Sequence, residues 1–250
     1  IARNQITHHI LTVMKDKQSN LIVSADVTTM DDLLHLIHQV GRNAVIIKTH
    51  IDQITDFNYQ YLIPQLKSLK KELNFLIMED RKFSDIGNTV KNQYLHGCYQ
   101  IHQWADLVTA HTLMGPGTLL ALEEAIMENK QSISSNEMRG IIPVIQASSQ
   151  DNLLNNDHYR EKSLKMVSQS SVVAGIVCQE RLLDNSFLHM TPGVKLFEQG
   201  DQLGQRYRTP EIAIVEQGCD MIIVGRGIYQ SKDPKEEAKR YQSVGFNALI

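Results

Sequence analysis

The chain alternates short apolar runs with longer stretches in which apolar residues recur at helical spacing. Runs rich in aliphatic and β-branched residues predict strands over residues 21–27, 44–49, 75–80, 105–111, 141–147, 172–178, 189–194 and 221–224. Amphipathic stretches between them predict helices, among them residues 31–40, 59–73, 117–128 and 159–169. This alternation is typical of strand–helix units that build a parallel sheet buried on both faces.

The number of predicted strands indicates how the sheet is arranged. Eight strand–helix units are what a (β/α)8 barrel requires, and 250 residues is an ordinary length for one. We therefore predict the α/β class, with a single TIM barrel formed by one domain over residues 1–250. Segment 1–17 precedes the first strand and has helical spacing, so we expect an additional N-terminal helix that covers the bottom of the barrel.

Composition excludes several classes of protein. The formal net charge of -3 provides no basic surface for nucleic acid. The cysteines at 98, 178 and 219 form no CxxC pair, which argues against a disulfide framework or a thiolate metal site and favours a reducing compartment. No apolar run is long enough to span a membrane, and no signal-peptide pattern opens the chain. We expect a cytoplasmic protein with neither nucleic-acid nor membrane partners.

Candidate chemistry lies where the predicted strands end. In a barrel of this type the active site forms at the C-terminal ends of the strands. Polar or turn-forming residues follow several of those ends: Ser24-Ala25-Asp26, Lys48-Thr49-His50, Asp80-Arg81-Lys82, Ser148-Ser149, Thr191-Pro192-Gly193 and Gly225-Arg226-Gly227. Their recurrence at one end of the barrel favours a functional site over a solvated rim.

The segment 79–89 carries the densest group of charges. Asp80 and Lys82 are two residues apart, so on an extended backbone they point to the same face, and Asp85 follows in the next turn. The alternative interpretation is a strand end whose charges simply face water. A half-buried ammonium between carboxylates requires a functional reason, because unpaired charge is unfavourable away from water.

Several stretches together resemble orotidine 5'-monophosphate decarboxylase, in the eukaryotic-type form that also occurs as the C-terminal domain of UMP synthase. The resemblance is carried by residues 24–26, 48–50, 79–90, 191–194, 200–207 and 222–227. The Asp80-x-Lys82-x-x-Asp85 core also occurs in metal-dependent relatives such as 3-keto-gulonate-6-phosphate decarboxylase, whereas the longer stretch combined with Gln205 and Tyr207 is specific.

The resemblance implies that orotidine 5'-monophosphate is decarboxylated to UMP in pyrimidine biosynthesis, with no metal or organic cofactor. Departure of the carboxylate leaves a carbanion at C6, and Lys82 is implied as the cation that stabilises it and the acid that protonates it. Asp80 would lie near the substrate carboxylate, and Lys48 would pair with Asp80. A homodimer is implied as well, with Asp85 and Thr89 completing the neighbouring subunit's site.

Substrate contacts follow from the same resemblance. Asp26, Lys48 and the neighbour's Thr89 would contact the ribose hydroxyls, and Ser148 would contact the pyrimidine edge. Ile86 and Pro192 would form apolar walls. The phosphate would be bound by Gln205, Tyr207, Gly225 and Arg226. The chain departs from the family pattern at Gln146-Ala147, where an acidic and a larger apolar residue are usual. We expect this departure to affect loop packing or affinity.

Two other functions remain open at this point. The first is a nucleotide-binding barrel without catalysis, which the presence of Lys48, Asp80, Lys82 and Asp85 disfavours. The second is a metal-dependent sugar-phosphate lyase, whose turnover would be abolished by EDTA. For His50, which ends the second predicted strand, we favour a structural hydrogen-bonding role.

Overall fold

A computed structural model of the chain describes residues 2–129, 137–196 and 207–250. Its strands are β1 (Leu21–Ser24), β2 (Ile46–Thr49), β3 (Leu76–Phe83), β4 (Leu107–Ala110), β5 (Gly140–Pro143), β6 (Gly175–Val177), β7 (Leu188–Thr191) and β8 (Met221–Val224). The helices are α1 (Gln5–Lys17), α2 (Met30–Val40), α3 (Tyr59–Leu73), α4 (Gly87–Leu95), α5 (Gly117–Glu128), α6 (Asp157–Gln169), α7 (Arg226–Tyr229) and α8 (Pro234–Asn247).

The eight strands form one parallel sheet in the order β5-β4-β3-β2-β1-β8-β7-β6. Single parallel bridges, Ile141 to Val173 and Val144 to Val177, join the two end strands and bring the sheet round into a barrel. Apolar side chains fill both the barrel interior and the layer between sheet and helices. The predicted α/β fold with a TIM barrel is confirmed.

Helix α1 closes the N-terminal end of the barrel, as predicted. It begins at Gln5 rather than at the first residue, because the Asn4 side chain caps the helix by accepting a hydrogen bond from the Thr7 amide. Ile6 and Ile10 on its buried face pack into the apolar cluster of the barrel interior. The functional end of the barrel is therefore the opposite, C-terminal end.

Most predicted strands were too long. Strand β1 ends at Ser24 instead of 27, for example, and β6 covers only Gly175–Val177 of the predicted 172–178. Apolar composition continues beyond the residues that pair with a neighbouring strand, so composition alone overestimates strand length. None of the helices in the described ranges combines the length and apolar character needed to cross a bilayer.

Strand β3 differs in the other direction, because it continues through the charged segment to Phe83. Its register against β4 shifts between Glu79 and Phe83, and Lys82 has a φ of 52°. The backbone is therefore not regularly extended at Lys82, although the two side chains still meet on one face, as predicted, with Lys82 Nζ 2.9 Å from Asp80 Oδ2. A bulge, with Lys82 in the left-handed region that non-glycine residues rarely occupy, sets their relative position.

Candidate active site

A cavity of about 310 Å³ opens at the C-terminal ends of the strands. Many of the predicted site residues line it: Asp26, Lys48, Asp80, Lys82, Ser148, Pro192, Tyr207, Gly225 and Arg226. Gln205 lies outside the described residues. The strand ends thus bring together side chains that are up to two hundred residues apart in the sequence.

Asp80 is the centre of the charged groups in this cavity. Its Oδ2 lies 2.7 Å from Lys48 Nζ, 2.9 Å from Lys82 Nζ and 3.1 Å from His50 Nε2. Its Oδ1 accepts a hydrogen bond of 2.7 Å from Thr109 Oγ1. Both carboxylate oxygens are therefore held by donors from β2, β3 and β4.

These contacts fix the charge of Asp80. Burial alone would raise the pKa of this carboxyl, but the positive charge of Lys48, the His50 hydrogen bond and the charge of Lys82 outweigh burial. The pKa of Asp80 is consequently well below its ordinary value. Asp80 is a fixed anion on the cavity wall.

The bulge in β3 presents Lys82 to the cavity. The Lys82 amide donates a 2.9 Å hydrogen bond to Thr109 Oγ1, the same hydroxyl that donates to Asp80. The Lys82 side chain is 44% exposed, whereas that of Lys48 is 9% exposed. Lys48 is thus a buried partner of Asp80, while Lys82 can meet a ligand. Strained backbone of this kind is common at functional sites.

Glu79 holds the end of strand β2 in place. Its carboxyl is fully buried and accepts hydrogen bonds from Thr49 Oγ1 at 2.6 Å and from the Ile51 amide at 3.1 Å. Burial raises the pKa of Glu79 to about 7, against the lowering effect of these two hydrogen bonds. Because Thr49 and Ile51 flank His50, Glu79 fixes the backbone that carries the His50 ring and the neighbouring Lys48.

Asp26 joins the charged groups from strand β1. It accepts from Ser24 Oγ at 2.9 Å, lies 2.7 Å from His50 Nδ1, and is 4.0 Å from Lys48 Nζ. Burial would raise the pKa of Asp26, but the His50 hydrogen bond and the Lys48 charge lower it further, so the net shift is downward. Asp26 is a second anion, and its oxygens face the cavity beside Gly225.

Sequence reasoning predicted a hydrogen-bonding role for His50 without identifying its partners, and it missed Thr109. His50 contacts both Asp26 and Asp80, and Thr109 contacts Asp80 and the Lys82 backbone. For His50 a signal was available, since it follows Lys48 by two residues, the spacing that repeats on one face of a strand. Thr109 gave no comparable signal, because its partners belong to another strand.

The far side of the cavity carries Tyr207 and Arg226. The Tyr207 ring centroid lies 3.9 Å from Lys195 Nζ and 5.9 Å from the Arg226 guanidinium carbon, which places two cations around one aromatic ring. Helix α7 starts at Arg226, directly after β8. Gly227 is required there, because a Cβ would approach the Tyr241 hydroxyl to 2.5 Å.

The loop after β5 contributes Ser148 to the cavity and explains the unusual Gln146. The Gln146 side chain is buried, accepts from the Gln179 amide at 2.8 Å and donates to a Glu180 carboxylate oxygen at 3.1 Å. A carboxylate at position 146 would face the Glu180 carboxylate without a donor. The amide matches both partners, so this departure belongs to the loop's own hydrogen bonding.

Three predicted residues do not line the cavity of their own chain. Asp85, Ile86 and Thr89 lie in an exposed turn and at the start of α4. Ile86 is 49% exposed. Asp85 is anchored through its backbone carbonyl, which accepts a 2.7 Å hydrogen bond from Thr118 Oγ1 on α5. Their roles remain predictions that depend on a second subunit.

The donor set around Asp80 differs from that of a metal centre. Within the part of the chain that the structure describes, no group of three or more His, Cys, Asp or Glu side chains forms a cation site. The space beside Asp80 Oδ2 is taken instead by the ammonium groups of Lys48 and Lys82.

Comparison with known proteins places the chain in a family. The model of the orotidine 5'-phosphate decarboxylase / HUMPS family matches residues 19–241. A protein from Pichia kudriavzevii named orotidine 5'-phosphate decarboxylase is 41% identical over 251 residues, which cover 98% of this chain and 93% of the relative. A uridine 5'-monophosphate synthase from Naegleria gruberi is 40% identical over 252 residues, covering 99% of this chain and 50% of that protein.

Solved structures show the same fold. The orotidine 5'-monophosphate decarboxylase of Methanocaldococcus jannaschii, complexed with the inhibitor BMP, superposes with a TM-score of 0.65 at 22% identity. The alignment covers 92% of this chain and 98% of the other. With the family model spanning most of the sequence and relatives about two-fifths identical along nearly its whole length, the chain belongs to the orotidine 5'-phosphate decarboxylase / HUMPS family.

Proposed function

We propose that the protein decarboxylates orotidine 5'-monophosphate to UMP and CO2 in pyrimidine biosynthesis. The observation that carries the proposal is the alternation of Lys48, Asp80 and Lys82 on one wall of the cavity, with 2.7 and 2.9 Å between successive charged groups. This reaction needs a fixed cation where charge develops and a proton donor at the same atom. Lys82 can be both.

In the proposed mechanism the bond between C6 and the carboxylate breaks, its electron pair remains on C6, and CO2 leaves. The Lys82 ammonium stabilises the developing negative charge and then gives C6 a proton, which solvent replaces. Asp80 is already ionised and faces the substrate carboxylate, so like charge disfavours the bound ground state. Lys48 keeps Asp80 in position.

The remaining cavity residues suit the rest of the nucleotide. Asp26 and Lys48 can hydrogen-bond the ribose hydroxyls, and Ser148 can bond the pyrimidine edge beside Pro192. At the other end Arg226 and Tyr207 are proposed to bind the phosphate together with Gln205 and the Gly225 backbone. Arginine suits this position because its planar fork can meet two phosphate oxygens.

We further propose a homodimer in which Asp85 and Thr89 complete the partner's site. Residues 84–89 are all exposed, at the rim of the barrel beyond the bulge. The start of α5 lies against this turn, because Thr118 donates to the Asp85 carbonyl and Gly117 lies beside the Ile86 side chain. Apolar side chains are exposed in both segments and suit contact with a second copy of the chain: Ile86 (49% exposed), Leu113 (70%), Met114 (52%) and Leu120 (60%). A two-fold interface here would bring each Asp85 towards the other subunit.

The proposed setting is the cytoplasm, with residues 1–250 acting as one barrel domain. Cys98, Cys178 and Cys219 are free thiols, which is consistent with a reducing compartment.

The test is to mix the purified protein with orotidine 5'-monophosphate and follow the loss of the orotate-type absorbance, with and without EDTA. The proposal predicts conversion to UMP at the same rate in both. Binding of UMP without turnover would instead identify a non-catalytic nucleotide-binding barrel. Turnover that EDTA abolishes would point to metal-dependent chemistry and contradict the mechanism.

A further inference from the structure

The His50 ring lies between two carboxylates that belong to different parts of the site. Nδ1 is 2.7 Å from Asp26 Oδ1, and Nε2 is 3.1 Å from Asp80 Oδ2. Asp26 is the proposed ribose contact, whereas Asp80 holds Lys82, the proposed proton donor. One rigid ring thus connects the group that recognises the sugar to the group that faces the reacting carbon.

His50 does not itself line the cavity, and its side chain is only 18% exposed. It can therefore act on a substrate only through its neighbours. An ionised carboxylate accepts hydrogen bonds but cannot donate them, so the ring donates from Nδ1 to Asp26 and, when it also carries a proton on Nε2, from Nε2 to Asp80. At the other end Nε2 lies within 3.5 Å of Lys48 Nζ and 3.3 Å of Lys82 Nζ, as well as close to Asp80.

The electrostatics of the site support this bridging arrangement. Burial lowers the pKa of His50, but hydrogen bonds to Asp26 and Asp80 raise it more, in spite of the Lys48 charge. Reciprocally, the His50 hydrogen bond lowers the pKa of each carboxyl. The ring is held from both sides.

The ring is not needed to hold the backbone. The segments before and after it are already fixed, since Glu79 binds Thr49 Oγ1 and the Ile51 amide, and the Gln53 amide donates to the His50 carbonyl at 3.0 Å. A smaller polar side chain at position 50 should therefore leave the local fold intact. What the imidazole adds is a link between two side chains.

We infer that His50 is a positioning residue that couples ribose recognition at Asp26 to the placement of Asp80 and Lys82. When a ribose hydroxyl binds and orients Asp26, the Nδ1 hydrogen bond carries the ring with it. The Nε2 end then sets the position of Asp80 Oδ2, which also holds Lys82. This inference rests on the proposed decarboxylation, because it assigns the ribose contact to Asp26.

The test combines two variants with substrates that lack one ribose hydroxyl. His50→Asn keeps a polar group near the Nδ1 position and removes the Nε2 end, whereas His50→Gln reaches towards Asp80 and gives up the Asp26 end. The substrates are orotidine 5'-monophosphate and its 2'-deoxy and 3'-deoxy analogues. For each combination of enzyme and substrate, kcat and KM are measured separately, after UMP binding has shown that the variant is folded.

In the wild type, removal of the hydroxyl that Asp26 contacts should lower kcat as well as raise KM. In His50→Asn the effect on KM should remain, because Asp26 still binds the hydroxyl. The effect on kcat should shrink by about threefold or more, the size expected for side chains in direct contact. His50→Gln should also lose the kcat effect, since either half of the link alone is insufficient.

His111→Asn is the matched control. His111 directly follows β4, and the charges of Lys82 and Asp80 act on it, yet within the described ranges its side chain makes no hydrogen bond to Asp26 or Asp80. This variant should keep the full hydroxyl dependence of kcat.

Equal hydroxyl effects on kcat in the wild type and in both His50 variants would overturn the inference and leave His50 a purely structural role. A wild-type kcat that ignores both hydroxyls would overturn it too. Failure of the proposed function is distinguishable, since the wild type would then not convert orotidine 5'-monophosphate at all.

Discussion

Glu79 offers a test of how the end of strand β2 is built. The carboxyl is fully buried, and its pKa is raised from 4.5 to about 7, chiefly by burial. The folded protein therefore binds this proton more tightly than the unfolded chain does. The stability that the protonated carboxyl provides is complete below pH 4.5 and is lost as the pH rises through about 7.

The difference between a pKa of 4.5 and one of about 7 corresponds to about 3 kcal/mol, at ~1.36 kcal/mol per unit. Glu79→Gln resembles the protonated carboxyl in shape and cannot ionise, so it should escape this loss. We predict that the free energy of unfolding of the variant, relative to that of the wild type, increases by up to about 3 kcal/mol between pH 4.5 and 8. Urea denaturation of both proteins across this range measures the difference, and other titrating groups cancel.

The matched control is Glu161→Gln, which makes the same chemical change at an exposed position on α6. The gain in stability at high pH should appear with Glu79→Gln, which replaces a buried carboxyl, and not with this surface exchange. If the stability difference between Glu79→Gln and the wild type is independent of pH, burial does not raise the pKa of Glu79 and the carboxyl is ionised in the fold. Glu79 would then hold Thr49 and the Ile51 amide as a carboxylate throughout this pH range.

Three further outcomes follow from the site. Arg226→Ala should severely reduce turnover of orotidine 5'-monophosphate but barely alter the slow reaction of orotidine, because remote phosphate contacts can lower the chemical barrier; equal loss for both substrates would remove Arg226 from the phosphate site. Mixing inactive Lys82→Ala with inactive Asp85→Ala should restore about a quarter of the wild-type number of sites, because random exchange makes about half the dimers mixed and each mixed dimer has one intact site. If the subunits exchange and activity stays absent, Asp85 serves its own chain. Gln146→Glu should weaken UMP binding relative to the wild type, because it replaces the amide that donates to Glu180 with a carboxylate; isothermal titration calorimetry of both proteins at neutral pH checks this, and equal affinity would contradict the role given to the amide.

The number and order of the strands were predictable because a buried parallel strand must be almost continuously apolar. The ends of the strands were not, because an end is set by pairing with the neighbouring strand. At β6 only Gly175–Val177 belong to the strand, although the apolar run begins earlier. Gly175 illustrates the tertiary constraint, since a Cβ there would lie 2.3 Å from the Leu188 carbonyl oxygen on β7.

The charged residues of the site were also predictable, because polar side chains at the ends of a parallel barrel converge. Their geometry was not. The position of Lys82 depends on a bulge held by Thr109, which belongs to β4 and follows it by 27 residues. The bridge made by His50 likewise requires Asp26 and Asp80, from two other strands, to be in place first.

The roles of Asp85 and Thr89 illustrate a different limit. The two residues follow β3 closely in the sequence, and the structure keeps both exposed, Asp85 in the turn and Thr89 at the start of α4. Whether a residue serves its own site or a neighbour's depends on the surface of a second subunit. No periodicity within one chain encodes that, so the composite site came from family resemblance alone.

The most direct test of the central claim compares Lys82→Ala with Arg81→Ala. The two cations are adjacent in β3, but Lys82 pairs with Asp80 in the cavity while Arg81 lies over the Phe83 ring. With orotidine 5'-monophosphate as substrate, Lys82→Ala should lower kcat by about 10⁴-fold or more, the upper range for a positioned proton donor. Its affinity for UMP should change far less. The kcat of Arg81→Ala should stay near that of the wild type. A kcat for Lys82→Ala within about tenfold of the wild type, or about 1.4 kcal/mol of barrier, would contradict the assignment of Lys82 as the cation and proton donor.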